Sequence, residues 1–480
     1  MSYLHGVRVQ ENPTSIPTPI TSNAGVPVVI GTAPINLADD PTGATNIPIM
    51  CNSFAEAKAA LGYSSDYANY TLCQAMDAFF KAFCVAPVVF INVLDPTTHK
   101  AAITEETLTV TSGIAKSSTK GMILSSVVVK DGATTLVEDT DYTLSFDDDG
   151  GLVITVIASG VTSVKLTGDK LTPASVTATT IVGSYTALTG TYTGIECVSQ
   201  IYPMFNRFPS LLLAPGWSQN STVGLALAMK CEGLNGSFRC ECVVDLPSNT
   251  GNAVVYSGVK TVKDNLGYVN PHMIVCWPEV LYAGKQMYMS AMYAAMALYT
   301  DISNDDVPNL YLSNKALRIS GVVLHDGTAV NLDQTQAGDV NGDGVVTALN
   351  LNGFKVWGNN TAAYPDTTDP KDRWIGCRRF FSWWGDNFIV IYLSKVDDPA
   401  NKRLIESIVD SENVRGNALV SAGKCAGIRT EYDPDDNPVA NILDGKIVFR
   451  QYMAPYTPAE DILDIIEYDV SMLEAELGGE

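Results

Sequence analysis

The sequence predicts a multidomain α/β protein: a central α/β sheet core, a β-sandwich inserted into it, and an α+β C-terminal domain. Three observations carry that expectation. Apolar β-rich runs alternate with helical periodicity over 26–96 and again over 194–353. A stretch rich in Thr, Ser, Val and Gly, without helical periodicity, interrupts them at 97–193. An aromatic and arginine-rich region follows at 354–460. With 480 residues and 46% hydrophobic content the chain can bury several cores, and at ~150 residues per domain about three are expected.

Residues 1–25 carry Pro13, Pro17 and Pro19 among Thr and Ser, and proline disfavours helix and removes backbone donors. They read as an extended arm. It is either a frayed terminus or a strand for another sheet, since Gly6-Val7-Arg8-Val9-Gln10 alternates and could add to an edge. Val26 to Ala33 reads as a buried strand and turn. Ser53 to Gly62 reads as a short helix with a Ser N-cap, an early Glu and a closing Gly. Tyr70 to Ala82 follows as a longer helix, leading into the apolar strand Pro87 to Val93.

Within 97–193, the runs Ser126–Lys130, Tyr142–Phe146, Leu152–Val156 and Ser163–Leu166 alternate with Asp-Gly and Gly-Gly turns, the pattern of a small β-sandwich. Asp147-Asp148-Asp149-Gly150-Gly151 reads as a hairpin turn in preference to a calcium site. The α/β pattern then resumes. Ser210–Gly216, Phe238–Leu246 and His272–Pro278 read as strands, with helices at Thr222–Gly233 and Asn252–Lys263, which implies a largely parallel sheet. Ala283 to Thr300, with four methionines among alanines, reads as a buried helix in which methionine fills gaps.

The formal net charge is -22, from 52 acidic and 30 basic residues. That charge repels phosphate backbones and acidic membrane surfaces, so neither direct nucleic-acid binding nor membrane insertion is expected. Any assembly of many copies must set Lys and Arg against carboxylates and should be salt-sensitive. No apolar stretch approaches the ~20 residues that span a bilayer. The N-terminus lacks a signal-peptide pattern, and the ten cysteines, set mostly in apolar surroundings, read as reduced buried thiols. Synthesis in the cytoplasm is expected.

Motifs for chemistry are weak. Asp339-Val340-Asn341-Gly342-Asp343-Gly344 matches the start of an EF-hand loop, but Asn350 stands where the bidentate Glu belongs. A loop is favoured over a calcium site on Asp339, Asn341 and Asp343. The four histidines stand apart, Cys240 and Cys242 have i, i+2 spacing, and no nucleophile elbow or Walker motif is present. The expectation is a protein without catalytic residues, metal or cofactor.

The last third is the most specific. Phe354 to Thr361 reads as a strand ending in a polar turn, followed by Arg378-Arg379-Phe380-Phe381 as an aromatic core with basic residues at its edge. A helix is expected from about Asp398, with Leu404, Ile405, Ile408 and Val409 on one face, and then a strand at Lys446–Tyr452. Phe354-Lys355-Val356-Trp357-Gly358-Asn359-Asn360-Thr361, the arginine-aromatic run, the helix after Asp398, Gly445–Phe449 and Pro455–Ile462 stand in an order that resembles the contractile bacteriophage tail sheath family. Tyr3 to Val9 resembles that family's N-terminal arm.

The resemblance implies a subtilisin-like α/β core without proteolysis, with the 97–193 insertion on the outer surface. It also implies an assembly domain at 354–460 and extended terminal arms at 1–25 and 461–480. Such a protein would polymerise with itself as stacked rings around an inner tail tube, in the tail of a virion or a phage-derived contractile particle. Baseplate and tail terminator proteins would be its other partners. Neighbours would exchange arms, with Val7, Val9, Ile462, Ile466 and Tyr468 as donated positions and Ile447 and Phe449 in the receiving sheet. Thr457 to Glu460 carries a local capping-box signal, so 461–469 is a donated strand by resemblance against a helix by local pattern. Lys402, Arg403 and Arg415 on the helix after Asp398 are the candidate tube contacts, against the alternative that they are ordinary solvated charges. The competing functions are an α/β-core hydrolase and an acidic surface adhesin built on the insertion.

Overall fold

Val26 to Gly31 (β1) is buried along its whole length, which places it inside a sheet covered on both faces. The computed structural model describes residues 20–21 and 25–478. After β1 come β2 (Ile49–Cys51), α1 (Phe54–Leu61), α2 (Thr71–Met76) and β3 (Val88–Asn92). Ser53 caps α1 by accepting from the Glu56 N–H, as its sequence indicates. The helix begun by α2 continues as a π-helix over Asp77–Phe83.

The insertion folds next. Its strands are β4 (Lys100–Ala102), β5 (Glu106–Thr109), β6 (Ile114–Lys120), β7 (Val128–Asp131), β8 (Thr134–Thr135), β9 (Tyr142–Phe146), β10 (Gly151–Val156), β11 (Ser163–Thr167) and β12 (Asp169–Leu171). A four-stranded sheet in the order β8-β7-β11-β5 faces a three-stranded sheet β9-β10-β6, and β4 pairs with β12 at the junction with the core. Leu108, Val129 and Leu166 from one sheet meet Ala115, Leu152 and Ile154 from the other in a core of their own. At the Asp147 turn the carboxylate accepts from the Asp149 and Gly151 N–H groups at 3.1 and 2.8 Å, an Asx turn.

The larger domain is then completed by β13 (Pro209–Leu213), α3 (Ser221–Glu232), β14 (Glu241–Asp245), α4 (Val259–Leu266), β15 (Met273–Cys276), the hairpin β16 (Glu279–Tyr282) and β17 (Lys285–Met287), α5 (Met289–Ile302), β18 (Gly321–Val323), α6 (Gln334–Gly342), β19 (Val345–Asn350) and β20 (Phe354–Trp357). One eight-stranded sheet has the order β20-β19-β15-β14-β13-β1-β3-β2. Its inner strands are parallel, and β20 and β2 close the edges antiparallel. Helices that cross over between parallel strands cover its faces, which is why the strands read as continuous apolar runs.

Three expectations change here. The methionine-rich helix starts at Met289, because Ala283 and Gly284 adopt positive φ (48° and 76°) and turn the preceding residues into the β16–β17 hairpin. The segment from Asp339, read as a loop in preference to a calcium site, is instead the end of α6: Asp339 and Asn341 are helical, and Asp343 is the C-cap residue before β19. Asp333 and Gln336 form a capping box that starts this helix, a signal present in the sequence but masked by the calcium pattern. The helix expected from Asp398 begins at Lys402, because Asn401 supplies the N-cap by accepting from Leu404 N–H at 2.9 Å.

The C-terminal region contains α7 (Ile375–Tyr392), α8 (Lys402–Ser421), β21 (Cys425–Glu431), β22 (Arg450–Pro455) and α9 (Val470–Glu476). It buries a small core of Phe380, Trp384, Cys425 and Ile428, with Trp383, Leu419, Val420 and Met453 packed against it. Arg378 and Arg379 lie inside, not at the edge of this aromatic cluster. Arg379 pairs with Asp301 of α5, and Arg378 Nη1 sits 3.1 Å from Asp372 Oδ1. The Arg379–Asp301 pair joins the C-terminal region to the larger domain, while Arg378 pairs within its own region.

Candidate assembly interface

Sheet β21–β22 is antiparallel and two-stranded, with Arg429 opposite Tyr452 and Thr430 opposite Gln451. One face, carrying Cys425, Ile428 and Thr430, packs inward, while Arg429, Tyr452 and Ala454 face out, with the Arg429 guanidinium 4.6 Å from the Tyr452 ring centre. The two outer edges are not equivalent. Asn413 of α8 donates to the Thr430 C=O and accepts from the Thr430 N–H, both at 2.9 Å. Thr430 therefore turns its backbone away from β22 and toward α8.

Gly416 lets α8 lie this close, since a Cβ there would meet Ile428 Cβ at 2.9 Å and Ile428 O at 3.2 Å. The edge of β21 is thus covered by a helix. On β22 the alternation of an antiparallel ladder then turns the backbone groups of Gln451 and Met453 to the free side. No described strand pairs there. An uncovered row of N–H and C=O groups is a template for an incoming strand.

The strand expected at Lys446–Tyr452 is shifted to Arg450–Pro455. The Asn437 side chain takes both backbone groups of Val448, accepting at 2.7 Å and donating at 2.9 Å, so 446–449 are held off the ladder. Ile447 and Phe449 are half-buried in this extended lead-in. Phe449 packs edge-on between Phe388 and Tyr432, each ring centre 6.3 Å away.

After β22 the chain crosses the Asn359-Asn360-Thr361 turn and leaves the body. The capping-box signal at Thr457 to Glu460 starts no helix; residues 456–469 have no regular structure, and α9 begins at Val470 with Asp469 as its cap. Ile462, Leu463, Ile465, Ile466 and Tyr468 are 73–87% exposed. Five large apolar side chains thus stand exposed in one run that pairs with no described strand. Val7 and Val9 lie outside the described residues.

Of the cations proposed to touch a partner, Lys402 is 87% exposed and its Nζ sits 3.4 Å from Glu406 Oε1, and Arg403 is exposed beside it. Arg415 corrects the expectation. Its guanidinium lies 3.7 Å from the Trp384 ring centre and 2.9 Å from the buried Glu412 carboxylate, on the inward face of α8. At about 100° per residue it stands well around the helix from Arg403, so the three cannot share one face.

Where the direction of the sheet order reverses, between β1 and β13, α/β enzymes commonly keep an open crevice. Here Trp217 donates to Thr71 Oγ1 at 3.3 Å, and Thr71 and Tyr288 pack against the Gly216 turn, where a Cβ would meet each at 3.0 Å. Ser382 donates to Glu241 at 2.6 Å, and His272 Nδ1 lies 3.5 Å from the same carboxylate. The hydroxyl and the imidazole both turn to this carboxylate, so the three are held together by their own contacts. Burial pushes Glu241 up, but its contacts with His272 and Ser382 outweigh that and hold it below the usual range. Among the described residues no group of three or more His, Cys, Asp and Glu could hold a metal ion, and no helix is long and apolar enough to cross a membrane.

No family model matches the chain. The tail sheath protein of Burkholderia phage BcepMu is 27% identical over 473 residues, covering 95% of this chain and 94% of its own. The major tail sheath protein of Serratia phage KSP20 is 28% identical over 216 residues, covering 43% of this chain and 53% of its own. In fold, a chain of the anti-feeding prophage baseplate superposes with a TM-score of 0.59 at 15% identity, covering 98% of this chain and all of its own. A chain of the sheath complex of the PVC extracellular contractile injection system, in its contracted state, superposes with a TM-score of 0.57 at 15% identity, covering 98% and 99%.

Proposed function

We propose that this chain, which belongs to the contractile tail sheath proteins, builds its polymer by lending residues 462–468 as a strand to the free edge of β22 in a neighbouring copy. The observation that carries this reading is the match, among the described residues, between an exposed apolar run with no partner strand and the open edge of β22, the strand that precedes it in the chain. Main-chain bonds supply the adhesion and survive rigid-body movement of the donor and recipient bodies if the connecting residues act as hinges. Residues 6–10 of another copy would join the same sheet through Val7 and Val9.

The polymer takes the form of stacked rings around an inner tube in the tail of a virion or a phage-derived contractile particle, bounded by baseplate and terminator proteins, and its contraction drives the tube through a bacterial envelope. Lys402 and Arg403 at the exposed start of α8 would meet an acidic tube surface. This work is mechanical and rests on no catalytic residue.

Deleting 461–480 tests the strand exchange. The shortened chain should keep the melting temperature of the full chain, since residues 461–478 are all exposed, yet form no rings or tubes by negative-stain microscopy. Tubes indistinguishable from those of the full chain would overturn the proposal.

A further inference from the structure

Glu460 is the last residue from which a side-chain or backbone hydrogen bond runs from the C-terminal segment back to the body of the described chain. Its two carboxylate oxygens have different partners. Asn359 Nδ2 donates to Oε1 at 2.9 Å, and Arg373 Nη2 lies 3.7 Å from Oε2. The guanidinium is itself fixed: its Nε donates to Asn360 Oδ1 at 2.9 Å, and it stacks 3.9 Å from the Trp374 ring centre and 4.3 Å from that of Tyr364. Asn360 in turn donates to the Asn341 C=O at 3.1 Å. A few residues earlier, Tyr311 Oη donates to the Tyr456 C=O at 2.9 Å. The root of the exposed segment is therefore fastened at two points to the Asn359-Asn360 turn and its surroundings, not to β22.

That fastening has a consequence for strand exchange. The segment 462–468 follows β22 in the same chain, and an intramolecular strand competes for an open edge at a high effective concentration. Folding back as a hairpin would cap β22 and remove both the donor and the acceptor of the intermolecular contact. We infer that Glu460, held by Asn359 and Arg373, is an exit clamp that keeps the terminal strand off its own sheet and presents it to a neighbour. This deepens the proposed strand exchange and rests on it. Asn359, Arg373 and Glu460 are positioning residues that act through the direction in which the segment leaves the body.

The test is the concentration above which the full-length protein polymerises, read by sedimentation, together with the melting temperature and hydrogen exchange of 462–468 in the monomer. Glu460→Lys sets two cations against each other. It should raise the critical concentration about tenfold or more, leave the melting temperature unchanged and slow exchange over 462–468 as the strand folds back. Asn359→Asp opposes two carboxylates and should act likewise. Adding Glu460→Gln to Asn359→Asp restores one hydrogen bond with donor and acceptor exchanged, and should recover most of the lost assembly, which a general packing defect would not. If deletion of 461–480 abolishes polymers while Glu460→Lys polymerises at the wild-type concentration, the clamp is overturned and strand exchange stands. If the deletion leaves polymers intact, both fall.

Discussion

The eight-stranded sheet and the C-terminal two-stranded sheet solve opposite problems. In the eight-stranded sheet the inner strands are paired on both sides, and β1, β3, β14 and β15 are buried at every residue. In the C-terminal sheet one of two strands has a free edge, the outer face is wet, and the core beneath is a handful of side chains. Strands paired on both sides store stability and have no backbone groups left to offer another molecule. A sheet stopped at two strands gives up stability but keeps one edge for a partner. The charge of -22 adds to this division, since copies that repel one another need a directional contact to assemble.

Three experiments would break or sharpen the contrast. The largest effect is expected inside the eight-stranded sheet: Phe90→Ala, at a fully buried position, should lower stability by about 3–5 kcal/mol, against about 2–3 kcal/mol for Ile428→Ala in the smaller core. Denaturant melts of both would check it, and a larger loss at Ile428 would contradict the contrast.

An intermediate effect is expected on tube docking. Reversing Lys402 and Arg403 to Glu should weaken co-sedimentation with the tube protein about tenfold at low salt and less at high salt. Reversing Arg415 should instead unfold the small core locally, because its guanidinium belongs to Trp384 and Glu412. Unchanged docking of the double variant would remove α8 from the tube interface.

The smallest effect concerns the joint between the two regions. Asp386 on α7 is buried and accepts from the Arg239 N–H at 2.9 Å; burial, with Glu241 nearby, pushes its carboxyl up to about 8. An unfolded Asp titrates near 3.9. Between about 4 and 8 the unfolded chain has released a proton that the folded chain still holds, so the stability linked to that proton, complete below about 4, declines as pH rises and is lost by about 8. Asp386→Asn keeps an acceptor for Arg239, and its melting temperature relative to the original should rise from pH 5 to pH 8. A difference independent of pH would show that the carboxyl does not carry the proton.

Much of the larger domain was legible in the order of residues. Val26–Gly31, Val88–Asn92 and Met273–Cys276 are short apolar runs bounded by turn residues and helical periodicity, and a strand buried on both faces has few other ways to look. Ser53 and the Asp147 turn act through partners two to four residues away, so local pattern sufficed. Local pattern also misled. The residues of 339–343 satisfied a calcium template while the Asp333–Gln336 box set a helix through them, and the Thr457–Glu460 box started none, its Glu460 carboxylate being bound elsewhere.

The sequence by itself determined the alternating architecture and the apolar character of the C-terminal run, because each is set by composition or by neighbours along the chain. Only the tertiary structure decided which edge of the small sheet stays open, that Arg415 turns inward, and that Asn359 holds Glu460 across 101 residues. Those depend on contacts between segments far apart in sequence, where a side chain's partner is chosen by packing geometry and no local periodicity encodes it.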